Sequence, residues 1–223
     1  MNDMSEHIEK LKFAELFKGL NSEELSSITR CIHPKYAVFE KGTPIAMQGD
    51  MVPQAGIILH GKAVVQVEHI SGDTLLLEEI KAFDMFAAAM AGSGVAKMPV
   101  SIWAATETAV FFFDINRTIT TCKEDCYFHK KLVENMFRVL SKKLLSKTRQ
   151  VSILKNTTTR EKLMAFFEVE IEKARARHFT ISLNRSELAG YIGVNRSSMS
   201  RELSNMQKEG LIEYKGNSFC VKK

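Results

Sequence analysis

Apolar positions change their spacing several times along the chain, and each change predicts a different element. Near the N-terminus Ile8, Leu11, Phe13, Leu16 and Phe17, then Leu25 and Ile28, fall in two helical stretches, the second opened by the cap-like run Asn21-Ser22-Glu23-Glu24. From Ile32 to Phe113 the texture becomes short apolar runs broken by turn residues about every 8 to 12 positions. The runs are Tyr36 to Phe39, Ile45 to Met47, Ile57 to Leu59, Val64 to Val67, Leu75 to Leu77, Ile102 to Ala105 and Val110 to Phe113. Lys41-Gly42-Thr43, Gln48-Gly49-Asp50, Gly61 and Ser71-Gly72-Asp73 punctuate them. Such a pattern predicts an antiparallel roll or barrel. Inside it, Phe83 to Gly94 reads as a small-residue helix and glycine turn, which either lines a cavity or packs closely because its residues are small.

Residues 116–155 carry the longest helical pattern. Val133, Phe137, Leu140, Leu144, Val151 and Leu154 recur at spacings of three and four except across Lys147-Thr148, and Leu132, Met136 and Val139 widen the stripe. A stripe of this length needs a partner. One edge is expected to pack on the roll and the other on the same helix of a second subunit, which makes Val133, Phe137, Leu140, Leu144 and Val151 the candidate dimer face. Lys155-Asn156-Thr157 then breaks the pattern as a hinge. Thr158 with Glu161 forms a capping box for a helix bearing Leu163, Phe166, Phe167 and Ile171, which ends near Arg175-Ala176-Arg177-His178. Phe179 to Leu183 reads as a strand.

The stretch Asn184 to Leu203 predicts two short helices meeting at a tight turn. Asn184 and Glu187 form a capping box, Leu188 and Ile192 face inward, Gly193 supplies a positive φ, and Asn195 caps the second helix. On that helix Met199, Leu203 and Met206 are the apolar stripe, while Arg196, Ser197, Ser200 and Arg201 lie largely off it. Low bulk, hydroxyls and guanidiniums near a helix N-terminus suit the DNA major groove, where arginine forks onto guanine O6 and N7. The same spacing also suits a helical hairpin with a solvated outer face. The downstream residues favour the first reading: Gly210 closes the helix, and Leu211 to Tyr214 and Phe219 to Val221 flank the turn Lys215-Gly216-Asn217-Ser218 as a hairpin. A helix pair followed by a small hairpin is a winged helix-turn-helix. Arg185, Asn195, Ser198 and Lys215 are the candidate phosphate contacts.

The predicted class is α+β: an N-terminal antiparallel, jelly-roll-like β-roll over residues 1–115, a long dimerisation helix over 116–155, and a winged helix-turn-helix over 156–223. Composition agrees with an ordinary globular chain, 45% hydrophobic and 26% charged. The polar N-terminus and the lack of any run near 18 to 20 apolar residues predict a cytoplasmic protein with no membrane association. The net charge of +5 is unevenly spread. Residues 1–128 carry 11 Lys plus Arg against 17 Asp plus Glu, residues 129–155 carry 8 against 1, and residues 156–223 carry 12 against 8. Positive charge thus gathers where a phosphate backbone must be approached, although a solvated basic helix explains the middle figure nearly as well. Cys31, Cys122, Cys126 and Cys220 are too few for a disulfide framework. Cys122 and Cys126 share a helical face at i, i+4, a spacing open to a metal or redox pair with His33 and His129 as the nearest further ligands, but no complete metal site is expected.

The order of parts, with Ile181 to Ala189 continuing through Val221 and the turns at Gly49-Asp50 and Leu59-His60-Gly61, resembles the CRP/FNR family of bacterial transcription regulators over nearly the whole chain. The resemblance implies a cyclic-nucleotide-binding-like roll, dimerisation through the long helix, base reading at Arg196, Ser197, Ser200 and Arg201, and RNA polymerase as a further partner. Ser197 stands where many members carry Glu, so the carboxylate that favours cytosine N4 is absent and a different half-site is expected. Members that bind cyclic AMP carry Gly-Glu in the short helix and Arg-Ser or Arg-Thr at the next strand. Here Ala87-Ala88 and Pro99-Val100 stand at those places, and a buried phosphate without a cation is costly, so cyclic AMP is not expected to bind. Iron–sulfur and haem sensing fit poorly as well: only Cys31 lies early, and His60 and His69 have no neighbouring cysteine. The apolar set Met85, Ala87, Ala88, Ala89, Met90, Met98 and Trp103 predicts a pocket for a small apolar or aromatic effector, or a pocket that is simply filled.

The expected function is therefore a homodimeric regulator acting on a palindromic site. A sensory subunit that uses its winged helix to dock on protein is the competing reading. No order of nucleophile, base and acid, no phosphate-cradling glycine loop and no paired carboxylates argue for an enzyme.

Overall fold

The computed structural model describes residues 3–32, 34–51, 54–68, 74–119 and 127–222. The chain divides into two compact units, residues 1–140 and 141–223. The boundary falls inside the long helix, whereas the sequence pattern set that helix apart as a segment of its own. Cys122, Cys126, His33, His69 and the turn Ser71-Gly72-Asp73 lie outside the described residues.

In the first unit, α1 (Asp3–Lys10) and α2 (Ser22–Ile32) are joined by two single 3-10 turns, Leu11–Phe13 and Glu15–Phe17. The expected cap of α2 is present: Asn21 Oδ1 accepts from Glu24 N at 2.9 Å, and the Glu24 carboxylate accepts from Asn21 N at 2.7 Å. Two backbone donors that a helix start leaves open are satisfied reciprocally. Eight strands follow: β1 (Lys35–Phe39), β2 (Pro44–Ala46), β3 (Ala55–His60), β4 (Ala63–Glu68), β5 (Thr74–Ile80), β6 (Met85–Phe86), β7 (Ser101–Ala104) and β8 (Thr108–Phe113). They pair antiparallel into two four-stranded sheets, ordered β1-β8-β3-β6 and β2-β7-β4-β5.

Strands β3 and β8 are covered on both faces, which is why they read as continuous apolar runs rather than as alternating ones. Ala109, Phe111 and Phe113 of β8, with Ala55, Ile57 and Leu59 of β3, join a cluster with Leu11, Phe17, Leu25 and Ile28 from the N-terminal helices and turns. Their neighbours Val110 and Ile58 point the other way, into a second cluster with Ala63, Ile80, Phe86, Met98 and Ile102. Each such side chain contributes roughly 1.5 to 3 kcal/mol when fully buried. The β3–β4 turn depends on Gly61, whose φ is +84° and where a Cβ would stand 2.1 Å from the Glu107 carbonyl oxygen. No other residue fits there.

The segment read as a helix from Phe83 to Gly94 is only partly one. Phe83 and Ala87 both adopt left-handed φ, 70° and 56°. Between them β6 pairs with β3, and the helix α3 is confined to Ala88–Gly92. A left-handed residue ends one hydrogen-bonding pattern and starts another, so small size at this stretch serves a sharp bend as well as a helix.

The residues of the expected apolar pocket are placed by the same geometry. Met85 and Ala88 belong to the first cluster and Ala87 and Met98 to the second, with Met90 packed against it. Ala89 is exposed. Trp103 joins no described cluster, because its neighbours Ile102 and Ala104 hold the buried side of β7, and its Nε1 is buried without a partner. These seven residues are thus divided between two clusters, an exposed position and a half-buried indole.

After β8 the chain forms α4 (Ile115–Ile119) and, beyond residues 120–126, α5 (Tyr127–Leu154). Within the first unit Leu132 and Met136 are buried against the N-terminal cluster, and Val139 and Leu140 flank it. Asn135, only 3% exposed, donates Nδ2 to the carbonyls of Leu16 at 3.0 Å and Lys18 at 2.9 Å.

The second unit holds the end of α5, then α6 (Thr159–Ala174), β9 (His178–Thr180), α7 (Arg185–Tyr191), α8 (Arg196–Lys208), β10 (Ile212–Lys215) and β11 (Ser218–Val221). The three strands form one antiparallel sheet in the order β10-β11-β9. Strand β9 is shorter than the expected Phe179 to Leu183, and Ile181 is held instead by its N–H donating to the Asn217 carbonyl at 3.0 Å. The core is aromatic at its centre: Phe167, Phe179 and Phe219 lie within 5.1 to 6.0 Å of one another, with Ile153, Leu163 and Leu188 around them. Among the described residues no helix is long and apolar enough to cross a membrane.

Candidate DNA-binding face

The geometry of the helix pair is fixed by caps and by one glycine. Asn184 Oδ1 accepts from the N–H groups of Ser186 and Glu187 at 2.9 and 3.0 Å, and the Glu187 carboxylate accepts from Asn184 N at 2.8 Å. Helix α7 then buries Leu188 and Ala189, and Ile192 follows fully buried. Gly193 turns the chain with φ +63°, and a Cβ there would meet Leu154 Cδ2 at 2.7 Å. Its carbonyl accepts from Lys162 Nζ at 3.2 Å, while Gln150 Nε2 donates to the Tyr191 carbonyl at 3.2 Å.

Helix α8 starts at the expected cap. Asn195 Oδ1 accepts from Ser197 N at 2.9 Å and from Ser197 Oγ at 2.7 Å. Met199, Leu203 and Met206 are buried to within 1% of full burial. Arg196, Ser197, Ser198, Ser200 and Arg201 are all exposed. The first two turns of the helix therefore present two guanidiniums and three hydroxyls beside its positive dipole end.

Two carboxylates of this region are turned away from that face. Arg160, on α6, donates Nε to Glu202 at 2.5 Å and both Nη groups to the Glu209 carboxylate at 2.7 Å each. The forked pair holds Glu209 below the usual carboxylate range and raises Arg160 above its ordinary value. With Glu202 and Glu209 paired, the cations at the helix start are left without an acidic neighbour on α8. Residues 42 and 49 positions apart form this clamp, so no local sequence pattern marked it.

The wing is positioned by Arg185, a residue expected to contact phosphate. Its guanidinium carbon lies 5.0 Å from the ring centroids of both Tyr214 and Phe219, which are cross-strand partners. Nη2 donates to the Gly216 carbonyl at 2.8 Å, and Nη1 is buried without a partner. Burial lowers the guanidinium below its ordinary value. The side chain is thereby committed to the hairpin. Lys215 and Ser198, by contrast, are exposed, as is Asn195 apart from its capping oxygen.

The candidate dimer residues do not share one environment. Leu140 packs beside the first core and Val133 is half-buried, while Phe137, Leu144 and Val151 are 72%, 69% and 51% exposed at a seven-residue spacing. Leu145 and Leu154 extend that exposed stripe at 60% and 41%. Among the described residues no group of three or more His, Cys, Asp and Glu is placed to hold a metal ion.

The family model of a Crp-like helix-turn-helix domain matches residues 161–223, the segment that carries this face. Electron transport regulator A of Shewanella oneidensis is 24% identical over 219 residues, 91% of this chain and 80% of that protein. Over residues 161–223 the chain is similar to the helix-turn-helix domain of Crp-like transcription regulators. Solved structures extend the likeness of the fold beyond the helix-turn-helix. CprK in complex with OCPA matches with a TM-score of 0.66 at 18% identity, covering 90% of this chain and 92% of that one. The c-di-GMP responsive global regulator CLP of Xanthomonas campestris matches with a TM-score of 0.59 at 16% identity, covering 91% and 100%. At such identities the chain shares their architecture, and any ligand chemistry must be argued from its own residues.

Proposed function

We propose that the chain is a transcription regulator of the CRP/FNR type that acts as a homodimer on palindromic double-stranded DNA, with Arg196, Ser197, Ser200 and Arg201 of α8 reading base edges and Ser198 and Lys215 meeting phosphates. The observation that carries this reading is the polarity of α8: its apolar stripe is sealed while Arg196, Ser197, Ser198, Ser200 and Arg201 of its first two turns are exposed. Arginine forked onto guanine discriminates by about 1 to 3 kcal/mol per pair. A twofold pair of such helices about 34 Å apart spans adjacent major grooves. The stripe Phe137, Leu144, Val151 supports the pairing, since seven-residue spacing of exposed apolar side chains is what a helix-to-helix seam uses.

Control lies with an effector of the first unit that is not a cyclic nucleotide. Ala88 and Pro99, where the family resemblance would need an acid and a cation, carry no charge, and Ala88 is buried in the first core. Calorimetric titration with cyclic AMP is expected to give no heat, and micromolar affinity would overturn that part of the reading.

Selection of bound duplexes from a random library by the purified protein tests the main claim. The expected product is an inverted repeat with half-site centres about 10 to 10.5 base pairs apart, bound in a salt-dependent manner. Binding that is indifferent to sequence and salt, or absent, would defeat it.

A further inference from the structure

The first unit has a cavity of about 290 Å³ at the start of α4, bordered by the stretch after α3 and by Met51 and Gln54 ahead of β3. Its deep side is apolar: Ile115 is 5% exposed, and Ala91 packs against the first core. Met51 and Val95, 75% and 47% exposed, are large aliphatic side chains left open on the same cavity. Asp114 and Gln54 supply polar side chains to its wall, and Asp114 is the charged member of the lining.

Asp114 has acceptor capacity to spare. Oδ1 caps α4 by accepting from the N–H groups of Asn116 at 2.9 Å and Arg117 at 3.3 Å. Oδ2 has a loose, exposed neighbour in Arg117 Nε at 3.6 Å. An incoming ammonium or hydroxyl competes readily with such a pair, because exposed ion pairs are weak. A phosphate or carboxylate meets repulsion instead. The wall also ties two short helices together, since Ala91 belongs to α3 and Ile115 to α4. Helix α3 hangs from the left-handed residue Ala87, and the strand before it from the left-handed Phe83. Non-glycine residues in that region are held there by their surroundings and mark segments with an alternative conformation to adopt.

We propose that this cavity is a ligand site for a small molecule with an apolar body and an ammonium or hydroxyl end, the body lying against Met51, Val95 and Ile115 and the donor meeting Asp114. That it serves as the effector site rests on the reading of the protein as a regulated DNA-binding dimer. The ligand bridges α3 and α4, and so biases the bend at Phe83 and Ala87 toward one of its arrangements.

The test uses the full chain and three probes of equal size: phenethylamine, 2-phenylethanol and phenylacetate. Calorimetric titration is expected to show phenethylamine binding at least about tenfold more tightly than phenylacetate, as an unlike charge pair against a like one requires. In Asp114→Asn the helix cap is retained, because Asn caps as well as Asp, and the preference is expected to shrink below about threefold. Amine and carboxylate binding alike, no amine binding, or an unchanged preference in Asp114→Asn would each overturn the site. A parallel duplex titration separates the two claims. Duplex binding without amine binding defeats the cavity alone, and Asp114-dependent amine binding by a protein that ignores DNA supports the cavity and defeats the regulatory reading.

Discussion

Arg185 and Tyr214, 29 positions apart in the chain, meet with the guanidinium carbon 5.0 Å from the ring centroid, and the same side chain reaches the hairpin turn through the Gly216 carbonyl. One residue at the start of α7 thus holds the wing to the helix pair. If Arg185 acts through the wing, Arg185→Gln and Lys215→Ala weaken DNA binding by less together than the sum of their separate effects, a non-additivity of about 0.5 kcal/mol or more in a double-mutant cycle. A direct phosphate contact at Arg185 would give additive losses.

Arg196→Ala and Arg201→Ala are each expected to cost about 1 to 3 kcal/mol of specific binding, measured by fluorescence anisotropy on the selected duplex. Both side chains are exposed, so the midpoint of thermal unfolding is expected to stay within the small range of surface substitutions. A large drop in that midpoint would show that one of them holds the fold together.

Arg160→Ala frees Glu202 and Glu209 beside the reading face, and DNA affinity is expected to fall although the residue itself lies on α6. The clamp also has a pH signature. Glu209 is held below its unfolded value of about 4.3, so it contributes stability above that value and loses the contribution as pH falls through the lower, folded value. Urea unfolding between pH 7 and pH 3 is expected to show a steeper acid loss in the native protein than in Arg160→Ala, and added salt should narrow the gap.

Leu144→Glu places a charge in the middle of the exposed seven-residue stripe. Sedimentation is expected to report a monomer, and binding to the full inverted repeat to fall to the affinity of one half-site. Persistence of the dimer would move the interface elsewhere.

Much of the second unit was legible because its instructions are local. The boxes Thr158 with Glu161 and Asn184 with Glu187, the turn at Gly193 and the stripe Met199, Leu203, Met206 each lie within a few residues, and the structure contains all of them. The strands of the roll were legible as apolar runs for the same reason. Direction was not. Met85, Ala88, Met98 and Trp103 are alike in character, yet which side of a sheet each one faces is decided by pairing with distant strands. The left-handed φ of Phe83 and Ala87 carries no mark in the sequence, since neither residue prefers it. The place of Arg185 was not legible because a guanidinium serves phosphate and aromatic faces equally well, and the register that sets Tyr214 opposite Phe219 brings it to the hairpin.

Ser197 donates its hydroxyl hydrogen bond to Asn195 Oδ1. What it turns outward is a pair of electron lone pairs, so toward a groove it behaves like a carbonyl. Bases that offer an amino hydrogen there, adenine and cytosine, suit it; the oxygens of guanine and thymine do not. On the proposed reading, a neutral residue at the place of the family's glutamate would thereby keep part of glutamate's selectivity, conferred by the capping asparagine two positions earlier.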